Sequence, residues 1–255
     1  MNKRAAGRLA AKRVLVTGAG GLMGSDFARA FAAEGADLVL TTRTASKLEP
    51  LAAELRATGA RVATVAADFN RHEDIDRLAH AAWDALGGIE VVLLSSQPPN
   101  PNLGELLTTP DEIWHEQQQA IVWGPFRLLR QLAPRMMAGG GGSIITVTSS
   151  TGFEPTPGYG AYGMAKGALW LLTLYMAREW GKSGIRANAL QPGLIATGQN
   201  AAALDRTVRA NGMMSRTSLD RVGVNRDCIG AAVYLASDES SFVSGQRLCV
   251  DGGRL

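Results

Sequence analysis

Tyr162 and Lys166 stand four residues apart in Tyr162-Gly163-Met164-Ala165-Lys166, and Ser149, within Thr148-Ser149-Ser150, precedes the tyrosine by thirteen residues. On a helix, residues four apart share a face, one turn from each other. A phenol titrates near pH ~10 and is a poor acid or base at neutral pH. A neighbouring ammonium stabilises the phenolate and brings it into working range. A serine hydroxyl on an adjacent strand end can hold a carbonyl or alcohol oxygen beside that phenol. Tyrosine-x-x-x-lysine alone is a common surface pair, so its surroundings decide what it means.

A second group of residues is suited to binding. Thr17-Gly18-Ala19-Gly20-Gly21-Leu22-Met23-Gly24 follows the apolar run Arg13–Thr17 and leads into the amphipathic stretch Phe27–Glu34. Glycines so placed allow a tight turn, close backbone approach to a pyrophosphate and close helix-on-strand packing. The helix start then offers unpaired N–H groups to phosphates. This makes Gly18, Gly20, Gly21, Met23 and Gly24 candidate dinucleotide contacts. A carboxylate ending the second strand would bind the adenosine ribose and repel a 2′-phosphate. Here the run ends Thr41-Thr42-Arg43-Thr44, and Asp37 lies at its far end. Thr42 can donate a hydroxyl, and Arg43 can grip a phosphate and stack on adenine, which favours NADP(H) over NAD(H). The plainer reading of Arg43 is a solvated strand-end cation.

These groups need a scaffold. Seven short apolar runs read as strands: Arg13–Thr17, Leu38–Thr42, Arg61–Ala66, Glu90–Ser95, Ser143–Ser149, Ile185–Gln191 and Gln246–Val250. Most are continuously apolar, as parallel strands covered on both faces are. Segments of helical period separate them. Thr109-Pro110-Asp111-Glu112, Asn70-Arg71-His72-Glu73 and Ser46-Lys47-Leu48-Glu49 carry helix-start signals. The alternation predicts an α/β fold: a doubly wound, mostly parallel seven-stranded sheet of Rossmann type, with helices on both faces. Residues 13–255 read as one dinucleotide-binding and catalytic domain, after a basic, mobile terminus over residues 1–12. The helix expected over Ala161–Lys182 is apolar nearly all round, which predicts a homo-oligomer, dimer or tetramer.

Composition removes other classes. Of 255 residues, 46% are hydrophobic and 19% charged, enough for a large core and unlike a disordered chain. No apolar run approaches the roughly 20 residues that span a bilayer. The basic start is followed only by Val14-Leu15-Val16, too short for a signal peptide, so a cytoplasmic protein is expected. Two cysteines make neither a disulfide framework nor a zinc site, and His72, His80 and His115 lack ligand spacing, so no metal is expected. The net charge of +3 comes without a basic element or a reading module, so nucleic acid is not an expected partner.

The sequence resembles the short-chain dehydrogenase/reductase family, single-domain branch, from Val14 to Gly253. The resemblance rests on the glycine loop, the Ser149, Tyr162 and Lys166 set, and Asn188-Ala189-Leu190-Gln191-Pro192-Gly193 followed by Ile195 and Thr197. Leu235-Ala236-Ser237-Asp238 and the segment ending Val250-Asp251-Gly252-Gly253 resemble its closing stretch. By this resemblance, Tyr162 is the general acid/base, Lys166 binds the nicotinamide ribose and lowers the tyrosine pKa, and Ser149 orients the substrate oxygen. Asp68 and Phe69 would meet the adenine and Ser95 would line the cofactor wall. Pro192, Gly193, Ile195 and Thr197 would place the nicotinamide. Hydride would pass between nicotinamide C4 and a carbonyl or alcohol carbon, as in a carbonyl reductase.

Three positions depart from the family pattern. Leu22 replaces a glycine of the phosphate loop. Leu94-Ser95-Ser96-Gln97, followed by Pro98-Pro99-Asn100-Pro101, replaces Asn-Asn-Ala-Gly after the fourth strand. Ile121 replaces an asparagine that anchors a water in the proton relay, and Gln117 or Gln118, one turn earlier, is a substitute amide. The alternative for both glutamines is a solvated face. Ser149, Thr151, Phe153, Tyr159, Tyr162 and the loop Leu194–Arg221 should form the pocket, suited to a moderately apolar ketone or secondary alcohol. Two rivals stay open: a cofactor-independent lyase or dehalogenase on this fold, and a non-catalytic NADP(H)-binding protein. Retained Lys166 and Pro192-Gly193 weigh against the first, and the intact catalytic set against the second.

Overall fold

The computed structural model describes residues 7–98, 104–196 and 201–254. Seven strands form one parallel sheet: β1 (Arg13–Thr17), β2 (Asp37–Thr42), β3 (Val62–Ala66), β4 (Val91–Leu94), β5 (Gly142–Val147), β6 (Ile185–Pro192) and, at its far edge, β9 (Arg247–Val250). Their spatial order is β3-β2-β1-β4-β5-β6-β9. Two short strands, β7 (Ile195–Ala196) and β8 (Gly223–Val224), pair separately.

The alternation of side chains along each strand explains the two layers. Val14, Val16, Leu38, Leu40, Val91 and Leu93 enter one core, with Phe27 and Phe31 of α1 (Leu22–Ala33) and Val233 and Leu235 of α8 (Asn225–Ala236). The residues between them, Leu15, Val39, Val92 and Leu94, enter the other. That second core holds Ile75 and Leu78 of α3 (His72–Leu86), Leu128 and Leu132 of α5 (Gly124–Ala138), and Met176 of α6 (Gly160–Trp180). Both faces of the central strands β1, β2 and β4 are therefore dry, which is why these strands are nearly continuously apolar, whereas the edge strand β9 alternates exposed and half-buried residues. The expected doubly wound sheet is observed. From Gly7 the basic segment lies against the domain, with Leu9 buried, Arg8 paired to Glu34 and Lys12 to Asp238.

Local boundaries differ from the helix-start signals. The helix α2 (Glu49–Ala57) is preceded by Leu48, α3 by Arg71, and α4 (Asp111–Gln118) by Pro110, each without a side-chain cap. Thr109 instead donates its hydroxyl to the Glu105 carbonyl at 2.8 Å, a local bond that competes with capping. The fifth strand ends at Val147, so Ser149 lies beyond it, opening a short 3₁₀ turn, Ser150–Gly152. Between α4 and α5 the helix widens into a π turn, Gln119–Trp123, centred on Ile121.

The order reverses at β1, whose successors lie on opposite sides, and ligands bind outside the carboxyl ends of strands at such a point. The loops after β1, β2, β4, β5 and β6 meet there.

Candidate active site

Those loops enclose a cleft of about 510 Å³. Thr17 is buried and its Oγ1 accepts the N–H groups of Ser95 (3.0 Å) and Ser96 (3.2 Å), tying the loop after β4 to the end of β1. Gly18 turns the chain with φ +67°, and a Cβ there would lie 2.8 Å from the Ser95 carbonyl oxygen. At Gly24 a Cβ would collide with the Gly18 carbonyl, so α1 starts flush against the loop. Gly21 is the helix cap and donates no side chain, which leaves the first N–H groups of α1 facing the cleft. This cradle fits a pyrophosphate. Leu22 takes the first helical position with its side chain 56% exposed, so no glycine is needed there.

Gly20, Met23, Thr42 and Arg43 line the same end of the cleft. Lys47, which the sequence places only in the helix-start signal Ser46-Lys47-Leu48-Glu49 and not among the cofactor contacts, joins them from the short turn Ala45–Lys47. Neither Arg43 nor Lys47 has an ion-pair partner among the described residues. Asp37 lies at the opposite end of β2, where it accepts the Arg61 N–H at 3.3 Å. Asp68, Phe69 and Ser95 form one wall, and Pro192, Gly193 and Ile195 another. Asp68 is held in a turn by the Asn70 N–H at 2.9 Å. Thr197 lies outside the described residues.

At the floor, Ser149 and Tyr162 line the cleft and Lys166 lies beneath them. Ser149 Oγ accepts the Thr151 hydroxyl at 3.0 Å. The Tyr162 hydroxyl, in a residue only 9% exposed, donates to Gln97 Oε1 at 3.4 Å. Burial pushes the Tyr162 phenol up to about 12, with Ser149 partly offsetting it and Tyr159 adding to it. Lys166 is 1% exposed and donates to the Val147 carbonyl at 2.7 Å. Its burial lowers it to about 7. Its Nζ sits 5.5 Å from the Tyr162 ring centroid. In this arrangement desolvation dominates both groups, and the ammonium bonds a carbonyl, not the phenol oxygen.

Ile121 packs with Tyr162, Ala165 and Leu169 in one buried cluster. One turn earlier, Gln117 is fully buried, and neither its Oε1 nor its Nε2 has a partner among the described residues. Trp114, on the preceding turn, lies against Gly160, and Ala120 lines the cleft. Gln117 shares a helix face with these two residues, three positions from each. An unpaired buried amide is costly, and internal water is the usual partner of such a group. Gln118 is only half-buried, and Gln119 donates to the Phe69 carbonyl at 3.0 Å.

Lys166 also has a stability consequence. Between about 7 and its ordinary 10.5 the unfolded chain binds more protons here than the folded one, so stability rises with pH across that window. Lys166→Met should raise Tm by roughly 2–6 °C at pH 7 and below, with the gain shrinking towards pH ~10. Calorimetry across that range checks both the sign and the trend.

Comparison with known proteins gives the family. Residues 18–254 match the family model described as enoyl-(acyl carrier protein) reductase. Dehydrogenase/reductase SDR family member 4 of Pongo abelii is 32% identical over 245 residues, 96% of this chain and 88% of that protein. Among solved structures, a gluconate 5-dehydrogenase from Burkholderia cenocepacia J2315 in complex with NADP and tartrate superposes with TM-score 0.88 at 31% identity, covering 96% of both chains. A 7α-hydroxysteroid dehydrogenase complexed with NADH and 7-oxo glycochenodeoxycholic acid gives TM-score 0.88 at 28% identity, covering 100% of this chain and 98% of that one. With a family match over most of its length and a relative above 30% identity, the chain belongs to the short-chain dehydrogenase/reductase family of oxidoreductases, which bind a nicotinamide cofactor.

Proposed function

We propose that the protein is an NADP(H)-dependent oxidoreductase acting on a moderately apolar ketone or secondary alcohol, with Tyr162 as general acid and base. The observation that supports it best is the convergence of Ser149, Tyr162 and buried Lys166 at one end of a cleft whose other end carries a free helix start and two unpaired cations. A nicotinamide bound there supplies or takes the hydride that no side chain can carry. Ser149 donates a hydrogen bond to the substrate oxygen. Tyr162 gives that oxygen a proton in reduction and withdraws it in oxidation. Protonated Lys166 stabilises the phenolate left behind, and the phenol must regain its proton before the next reduction.

Arg43 and Lys47 favour a 2′-phosphate, for which charge-assisted bonds replace the missing acid at the end of β2. Replacing both by alanine should weaken NADPH binding by about 10-fold to 100-fold and leave NADH binding within about threefold, as read by fluorescence titration. Equal losses for the two cofactors would contradict the assignment.

Gln117 is the amide suited to the place that Ile121 leaves empty of polar groups. It would hold an internal water on the route by which the site regains its proton. Gln117→Leu should lower kcat by about 10-fold and displace its pH profile, whereas Gln117→Asn should restore part of both. An unchanged kcat and profile in the leucine variant would exclude the role.

The exposed apolar stripe of α6, Met164, Leu171 and Tyr175, with Trp123 of the π turn also exposed, supports association with a second copy, as a dimer or tetramer. Light scattering should show an oligomer for the wild type and a monomer for Leu171→Glu/Tyr175→Glu. A monomeric wild type would overturn it.

A further inference from the structure

Gln97 stands where the fold brings the loop after β4 over the catalytic tyrosine. Its backbone is held on both sides. The two preceding N–H groups, of Ser95 and Ser96, bind the buried Thr17 hydroxyl at 3.0 and 3.2 Å, and the following residue, Pro98, is buried with its φ fixed by its ring. Its exposed side chain lines the cleft and its Oε1 accepts the Tyr162 hydroxyl at 3.4 Å.

Tyr162 has one O–H to give. When it donates to a substrate oxygen it leaves Gln97 Oε1, and the substrate then covers that acceptor. An acceptor stripped of both its partner and water penalises binding unless the substrate supplies a donor. The acceptor lies within hydrogen-bonding distance of the phenol that holds the reacting oxygen, so the donor belongs on the neighbouring carbon, where two vicinal oxygens approach each other this closely. We propose that Gln97 accepts a hydrogen bond from a hydroxyl adjacent to the reacting carbon, so that the site's substrates are α-hydroxy ketones and the vicinal diols formed from them. An alkyl group there would leave Oε1 unpaired. This rests on the reading that Ser149 and Tyr162 hold the reacting oxygen.

The adjacent hydroxyl takes no part in the electron balance. In reduction, the carbonyl carbon gains a hydride from NADPH and the carbonyl oxygen a proton from Tyr162, the C=O π bond breaks, and NADP⁺ leaves with the two electrons removed. In oxidation the same hydroxyl is the one not oxidised.

Matched pairs test the inference: 3-hydroxy-2-butanone against 2-butanone, and 2-hydroxyacetophenone against acetophenone, each with NADPH. The wild type should favour the hydroxy ketone in kcat/KM by about 10-fold to 100-fold. Gln97→Leu should bring the ratio to within about threefold, while Gln97→Glu, which keeps an acceptor, should retain most of it. Reduction of both members of a pair with a ratio near one, or a leucine variant that keeps the wild-type ratio, overturns the role of Gln97 and leaves the oxidoreductase reading standing. Reduction of none of the four ketones by NADPH-saturated protein overturns both.

Discussion

An amine buried with no carboxylate partner among the described residues is the constraint around which the rest of the site is arranged. Among the described residues Lys166 has one hydrogen-bond acceptor, the Val147 carbonyl at 2.7 Å, and it stands under the Tyr162 ring. Holding it there requires α6 to lie unusually close to the loop after β5. Gly163 makes this approach possible, because a Cβ at that position would lie 2.6 Å from the Thr151 carbonyl oxygen. Deeper along the same contact, Thr146 of β5 and Thr173 of α6 share a buried hydrogen bond at 2.8 Å. The helix is thus registered on the sheet by polar as well as apolar contacts. Its cost in stability is the ordinary one for a functional site.

The cleft divides electrically along its length. One end offers backbone N–H groups and the side chains Arg43 and Lys47, and so is suited to phosphates. At the other end Tyr162 and Lys166 are buried, and that burial governs their protonation. A ligand that neutralises the first end and adds hydroxyls near Lys166 would relieve both. The π turn beside Tyr162 belongs to the same economy of space: it lets α4 and α5 continue as one helix while Ile121 fills the gap against Ala165 and Leu169. Gln117 then carries the polarity that Ile121 does not.

Much of this was legible in the residues. The seven runs became seven strands, the central ones because strands covered on both faces must be apolar, and Thr17 to Gly24 could be read as a cradle because its glycines have positional reasons. The helix starts were misread at Thr109, whose hydroxyl found a nearer carbonyl in Glu105. Lys47 and the function of Gln97 were not legible, since each depends on which loops meet across the sheet rather than on spacing along the chain. Gln117 was half legible: helical spacing put it beside Ile121, but only packing distinguishes its buried amide from the half-buried Gln118.

The central claim is that Tyr162 handles the proton of a hydride transfer in this cleft. The most direct test is the loss of NADPH absorbance on mixing saturated enzyme with 3-hydroxy-2-butanone, wild type against Tyr162→Phe, with cofactor binding measured in parallel. The account predicts consumption by the wild type, a fall of about 10²-fold to 10⁴-fold in the variant, and similar NADPH affinity in both. A phenylalanine variant that consumes NADPH as fast as the wild type would contradict it.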